Sequence, residues 1–279
     1  MTTSARSLLR SFNIRPKKSL GQNFLHDPIW LERIVAGGDV GSDDLVLEIG
    51  SGAGSLTRCL ALAAREVVTI ELDQRFVPVI EHALKGFENV TVVTGDILDY
   101  ELRELLSGRD SSNFKVISNI PYYITGKLVR HLLQGSLRPR IIVLTVQREV
   151  AARMVAEVGE MSMLAVSVQF FCSARVLAHV PASVFYPSPD VDSSIVRLDV
   201  LPQSAWAHPD HHRFFSVVRS GFTHRRKQIQ NAFVQGIGLS REQIVGALHA
   251  AGVDPRRRAQ TLSIPEWARI TDCMATLTD

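Results

Sequence analysis

The chain has 279 residues, 46% hydrophobic and 21% charged, an ordinary composition for a folded protein with room for one large domain and a small one. No apolar run approaches the roughly 18–20 residues that a membrane helix needs, and Met1 to Arg10 hold no continuous apolar stretch of a secretory signal. Cys59, Cys172 and Cys273 are too scattered for a disulfide framework or a metal knuckle, so a reducing, cytoplasmic setting is expected; the net charge of +3 is too small to argue for nucleic acid by itself.

Residues 1–20 are basic and polar, with Arg6, Arg10, Arg15, Lys17 and Lys18. They read either as a solvated tail or as an arm that neutralises backbone phosphates. Gly21-Gln22-Asn23-Phe24-Leu25 reads on its own as a loop. Asp27-Pro28 then predicts a helix through about Val35, because an Asp N-cap satisfies free backbone N–H groups and Pro fits the first turn.

Leu45–Ile49 predicts a strand that runs through Gly50-Ser51-Gly52-Ala53-Gly54 into a helix. The spacing G-x-G-x-G lacks the third glycine of the dinucleotide fingerprint, while its glycines let a ligand approach the backbone closely. Val67–Ile70 predicts a second strand with Glu71 at its end, about 20 residues beyond the glycines and placed for ribose hydroxyls. Val90–Val93 predicts a third, ending at Gly95-Asp96, where an acid can accept from an adenine amino group. Together these make a nucleoside-binding α/β half, and the missing glycine points to an adenosyl group without a pyrophosphate.

Lys115–Ser118 reads as a short buried strand, and Asn119-Ile120-Pro121-Tyr122 follows at its carboxyl end, where open α/β sheets bind ligands. The tetrad suits an exocyclic amine on a flat ring. The Asn119 side-chain oxygen and the Ile120 carbonyl accept hydrogen bonds, Pro121 keeps Ile120 out of a helix, and Tyr122 offers a stacking face. The plainer alternative is a strand-to-helix turn in which Asn and Pro do only turn chemistry.

Residues 126–135 predict a helix, Arg140–Val146 a buried strand, and Arg148 to about Val158 another helix. Met161–Phe171 is ambiguous in period, and its length favours a helix, with Met161 and Met163 as core filler. Arg175–Val180 and Ser194–Val200 predict strands around a stiff loop with two prolines. Phe185 at its head is either a buried anchor or a second aromatic wall for the base at Tyr122. Leu201-Pro202 ends the last strand and sets a boundary between residues 1–201 and an all-helical 202–279.

In that second part Phe214, Val218 and Phe222 share one helix face, Ser240 caps a helix through about Ala250, and Pro265 opens the last one. Arg219, His224, Arg225, Arg226 and Lys227 cluster at a helix junction, and Arg256, Arg257 and Arg258 form a second basic knot. Two such knots in a small domain favour phosphate contact over a solvated face. His208, His211 and His212 have no cysteine or paired carboxylate in support, so no metal is expected.

Six motifs, taken in order, resemble the ribosomal RNA adenine N6-dimethyltransferases, and most of all the KsgA family that acts on small-subunit rRNA. They are Gln22-Asn23-Phe24-Leu25, Glu48-Ile49-Gly50-Ser51-Gly52-Ala53-Gly54, Glu71, Gly95-Asp96, Asn119-Ile120-Pro121-Tyr122-Tyr123, and Phe185-Tyr186-Pro187-Ser188-Pro189-Asp190-Val191-Asp192-Ser193. Phe222-Thr223-His224-Arg225-Arg226-Lys227 also resembles that family. The proline-rich stretch separates it from the sister erythromycin-resistance methylases of large-subunit rRNA, although Asp190 stands where the family usually has a basic residue. The resemblance implies a Rossmann-like class I methyltransferase with a seven-stranded sheet and a small all-helical C-terminal domain. It implies S-adenosylmethionine as methyl donor, held by Gln22, Asn23, Leu25, the glycines 50, 52 and 54, Glu71, Asp96 and Asn119. It implies catalysis by Asn119, Ile120, Pro121, Tyr122 and Phe185, with two adjacent adenosines near the 3′ end of small-subunit rRNA as substrate. The expected partner is the immature small subunit, met as a monomer. Rival readings are a large-subunit rRNA methylase, a DNA adenine methylase, and an assembly factor whose binding matters more than its chemistry.

Overall fold

The computed structural model describes residues 5–17, 20–224 and 226–277. The chain divides into two compact units, one of residues 1–151 with 174–200, the other of residues 152–173 with 201–279.

The first unit opens with a short helix, α1 (Ala5–Ser11), and a two-residue strand, β1 (Phe24–Leu25). Helix α2 (Pro28–Gly37) follows, and the Asp27 carboxylate accepts from the N–H groups of Ile29 and Trp30. Five strands then lie parallel: β2 (Leu45–Ile49), β3 (Glu66–Glu71), β4 (Val90–Thr94), β5 (Lys115–Asn119) and β6 (Ile141–Gln147). Strands covered on both faces read as continuous apolar runs, and every residue of β2 is buried. Helices α3 (Ser55–Ala63), α4 (Val77–Ala83), α5 (Leu102–Leu105) and α6 (Thr125–Gln134) lie in the connections between these strands. After them come β7 (Cys172–Val180), β8 (Phe185–Tyr186) and β9 (Ser193–Val200), the last antiparallel to β6.

The sheet order is β4-β3-β2-β5-β6-β9-β7. The chain moves outward from β2 through β3 to β4, then returns to the other side of β2 for β5 and β6. That reversal opens a crevice at the carboxyl ends of β2 and β5, where ligands of such sheets bind.

Three local features differ from the sequence reading. Part of the basic arm is helical: Leu9 of α1 is buried against Phe24, Ala53 and Phe76. The Gln22–Leu25 motif is not all loop: β1 pairs antiparallel with β8, Phe24 opposite Tyr186 and Leu25 opposite Phe185. The boundary at residue 201 is incomplete as well, because residues 152–173 pack with the helical unit.

That second unit holds α8 (Met163–Phe171), preceded by α7 (Arg148–Met154), and then α9 (His211–Phe222), α10 (Ile229–Gly236), α11 (Arg241–Ala250) and α12 (Ile264–Ala275). Its core is aromatic: Phe170 lies 4.4 Å from Phe214 between ring centroids, and Phe222 stacks on Trp267 at 5.7 Å. Ser240 and Ser263 each form a capping box, with Gln243 and Glu266. Gln169 ties residues 152–173 together by donating to the carbonyls of Met154 and Ala156.

Candidate active site

An open cavity occupies the crevice at the strand ends. The glycine turn after β2 forms its floor. Gly52 has φ 52, and a Cβ there would stand 2.8 Å from the Phe24 ring, so only glycine lets the turn and β1 close on each other. Gly50 and Gly52 line the cavity. Gly54 does not; it is the left-handed N-cap of α3, with its N–H bonded to the Ser51 carbonyl. Gly54, expected at the ligand, instead makes the left-handed turn that leads into α3.

Glu71 ends β3 on the cavity wall. Its carboxylate accepts from the Gly52 N–H at 2.8 Å and from the Asp73 N–H at 2.9 Å, which fixes the acid to the glycine turn. Burial pushes its carboxyl above the ordinary value, against the pull of those two donors. Asp96 follows β4, lines the cavity and caps the next turn through the Leu98 N–H.

Asn119 is the last residue of β5. Its Nδ2 donates to the Asn23 carbonyl at 3.2 Å, which leaves the side-chain oxygen as the acceptor that bond does not use. Ile120, Pro121 and Tyr122 line the same cavity, Pro121 with φ −59, and the Tyr122 hydroxyl is 2.7 Å from Ser193 Oγ. Tyr122 is thereby anchored at its far end, which holds the ring as a platform.

Gln22, Asn23 and Leu25 also line the cavity, with Asn23 bonded to Asn119. The Gln22 side chain accepts from the Lys17 N–H and donates to Asp73, whose carboxyl is held down to about 2 chiefly by hydrogen bonds from Arg75. Arg75 also reaches the Arg15 carbonyl. Arg15 and Gln22 are thereby tied to the turn after β3, and Lys17 is tied to it through Gln22.

Phe185, expected as a catalytic aromatic wall, lies elsewhere. It is 3% exposed, does not line the cavity, and packs with Leu25, Leu31 and Ile34 behind β1. A large apolar side chain at the register position opposite Leu25 gains more from that core than from the cavity mouth. It supports β1 from behind.

The sequence reading gave no role to Glu48 or Tyr123, both of which line the cavity. Glu48 is 1% exposed, accepts from Thr69 Oγ1 at 2.9 Å, and is pushed by burial up to about 8. Its signal was a lone acid inside an apolar strand. Tyr123 is 55% exposed beside the anchored Tyr122. Among the described residues that line the cavity there are three acidic side chains, of which burial favours the neutral form of Glu48, and no Lys or Arg. A phosphate-free, positively charged nucleoside fits such walls, and a pyrophosphate does not.

The basic residues of the helical unit are arranged separately. Arg219, Arg226, Lys227, Arg256 and Arg258 are exposed. Arg257 is not available in the same way: its guanidinium bonds the Glu266 carboxylate and Thr261, and so closes the N-terminal turn of α12. Lys18 and Arg225 lie outside the described residues. His208 serves packing, 3.1 Å from the Asp272 carboxylate. Among the described residues no helix is long and apolar enough to cross a membrane.

Comparison with known proteins adds a family. Residues 13–276 match the model of the ribosomal RNA adenine dimethylases. A protein of Pelotomaculum thermopropionicum called ribosomal RNA small subunit methyltransferase A is 40% identical over 277 residues, covering 96% of this chain and 94% of that protein. One of the same name from Dehalococcoides mccartyi is 38% identical over 271 residues, covering 97% and 92%. Among solved structures, a dimethyladenosine transferase from Plasmodium falciparum superposes with a TM-score of 0.75 at 26% identity, over 88% of this chain and 95% of that one. The 23S rRNA methyltransferase ErmE gives 0.68 at 29% identity, over 91% and 100%.

Proposed function

The chain belongs to the ribosomal RNA adenine dimethylase family, and from that premise we propose that it transfers two methyl groups to N6 of each of two adjacent adenosines near the 3′ end of small-subunit rRNA, with S-adenosylmethionine as donor. Relatives named for the small subunit are 36–40% identical over nearly the whole chain, whereas the large-subunit enzyme ErmE is 29% identical, which favours the small subunit. The proposed setting is the cytoplasm, and the proposed partner is an immature small subunit, met by a monomer during its maturation.

The observation that carries the reading is the juxtaposition in one cavity of an acid-lined nucleoside cradle and the Asn119–Tyr122 tetrad. Glu71 would hold the donor's ribose, Asp96 its adenine amine, and the turn at Gly50 and Gly52 its backbone-facing side; Gln22, Asn23 and Leu25 close the cradle. Bound S-adenosylmethionine supplies an electrophilic methyl on a sulfonium, a cation suited to walls with carboxylates and no basic side chain.

The chain's own residues do the rest. The N6 lone pair of adenine is delocalised into the ring, so N6 is a poor nucleophile. Hydrogen bonds from its two N–H groups to Asn119 Oδ1 and the Ile120 carbonyl favour a tetrahedral nitrogen and aim the lone pair. Tyr122, fixed through Ser193, stacks the extruded base. No strong base is needed before attack, because the N6 proton turns acidic only once the methyl has arrived. Catalysis is then orientation and electrostatics. After one methyl a single N–H remains and one acceptor loses its partner, at roughly 1–3 kcal/mol. The second transfer is slower for that reason.

The test is nucleoside mass spectrometry of small-subunit rRNA with wild type and with Asn119→Ala. Wild type gives dimethyladenine after a transient of monomethyladenine. The Asn119→Ala protein binds donor within about tenfold of wild type and loses at least ~100-fold in turnover. Methylation confined to large-subunit rRNA, or near-normal turnover without the Asn119 amide, overturns the proposal.

A further inference from the structure

Helix α6 begins directly after the tetrad, and its two faces differ sharply. Leu128, Val129, Leu132 and Leu133 are 0–1% exposed and form its inner face. Lys127, Arg130 and Gln134 stand at spacings of 3 and 4 residues, which puts them on one outer stripe, and exposed Tyr123 lies in the tight turn just before it. Lys127 and Arg130 are exposed, and neither makes an ion pair among the described residues. Tyr123 also lines the active-site cavity, and the stripe borders a second, open concavity.

That concavity takes its polar lining from Glu101, Lys127, Arg130, His131, Gln134 and Ser136. The Nε2 atom of His131 is buried there without a hydrogen-bond partner. A buried polar atom with no partner is costly unless something else meets it. Two cations beside hydroxyl, amide and imidazole groups suit a phosphate together with its sugar. Glu101 counts against a bare anion, but it fits a chain that presents ribose hydroxyls and base amines beside its phosphates.

We propose that this outer face of α6 is the track for the single-stranded RNA that leads away from the target adenosine. Tyr123 stacks the neighbouring base, Lys127 and Arg130 take successive backbone phosphates, and the concavity at His131 receives a ribose-phosphate unit. The track rests on the dimethylase reading and adds a second RNA contact, in the unit that does the chemistry.

The test measures the affinity of the full-length protein for protein-free small-subunit rRNA across a salt series, with donor affinity by calorimetry. For Lys127→Gln/Arg130→Gln the dissociation constant rises about tenfold, and the slope of log affinity against log salt flattens by about 1.4, at roughly 0.7 per phosphate contact on a single strand. Donor affinity is unchanged. The pair Arg65→Gln/Lys85→Gln removes the same charge from exposed positions on other elements and leaves the slope as it was. Tyr123→Ala weakens binding without altering the slope. An unchanged slope for Lys127→Gln/Arg130→Gln, or an equal change in the control pair, overturns the track. So does a loss seen with intact subunits but not with protein-free RNA, since a ribosomal protein would then occupy the face. Wild type that methylates small-subunit rRNA while the α6 pair binds normally fails the track alone; wild type that does not methylate it fails the dimethylase reading.

Discussion

Glu48 is the residue whose chemistry the sequence hid most completely. An acid inside Leu45-Val46-Leu47-Glu48-Ile49 gives no sign of which face it takes, and in a strand covered on both sides either face is dry. Burial raises its carboxyl from 4.5 to about 8, with the nearby charge of Glu71 adding to the rise and the Thr69 hydroxyl opposing it. Folding therefore takes up a proton wherever the unfolded carboxyl is ionised and the folded one is not. The stability this group contributes is complete below pH 4.5 and is lost progressively as pH rises to about 8. Glu48→Gln keeps an acceptor for Thr69 and cannot ionise. Its melting temperature is expected to match wild type near pH 5 and to exceed it near pH 8, by an amount equivalent to a few kcal/mol. Parallel melting curves across that range would mean that Glu48 is ionised in the folded protein. By contrast the positions of Glu71, Asp96 and Asn119 on the cavity lining were legible because each ends or closely follows a strand, and a sheet's carboxyl edge is a place that sequence reveals.

Elements were legible wherever caps and apolar periods agreed. Asp27, Ser240 and Ser263 cap helices close to where local chemistry places them, and the seven strands of the main sheet fall within a few residues of their apolar runs. What escaped was pairing between short segments far apart in the chain. Phe24–Leu25 and Phe185–Tyr186 are each too short to show a period, and nothing local says that they meet. The 152–173 segment escaped for a related reason: α8 is apolar almost all round, so its partner is chosen by packing with Phe214 and Phe215, not by period. The β1–β8 pair makes Phe185 a support for the cavity wall. Phe185→Ala is expected to cost about 3–5 kcal/mol of stability through the cavity it leaves, and to weaken donor binding because β1 carries Leu25 and follows Asn23. Denaturant unfolding and calorimetry read the two effects together. Donor affinity lost at unchanged stability would instead put Phe185 in contact with the ligand. Phe185→Trp is expected to strain the same core and to lower both methyl transfers alike.

At the scale of the whole molecule, a chain with a net charge of only +3 has to bind a polyanion through local arrangement. The cavity in the first unit keeps its charge acidic, which suits a cationic donor and repels phosphate. Exposed cations stand outside that cavity, on the outer face of α6 and on the helical unit, where Arg219, Arg226, Lys227, Arg256 and Arg258 are exposed. The two knots were visible in sequence, but the fate of each arginine was not: Arg257 lies between two exposed neighbours and is spent on Glu266, a partner nine residues away that composition cannot assign. A phosphate role for the knots therefore belongs to the exposed members only. Arg226→Gln/Lys227→Gln is expected to weaken binding to small-subunit rRNA about tenfold and to flatten its salt dependence by about 1.4–1.8, the range for two phosphate contacts on single- or double-stranded nucleic acid. Donor affinity should not move, because the cavity lies wholly in the other unit. Arg257→Gln gives the contrast: it should lower the melting temperature by loosening the start of α12, and change the salt slope little. If Arg257→Gln flattened the slope as much as the exposed pair, or the exposed pair left it unchanged, phosphate contact would not be divided by exposure, and the helical unit would be holding RNA by shape instead of charge.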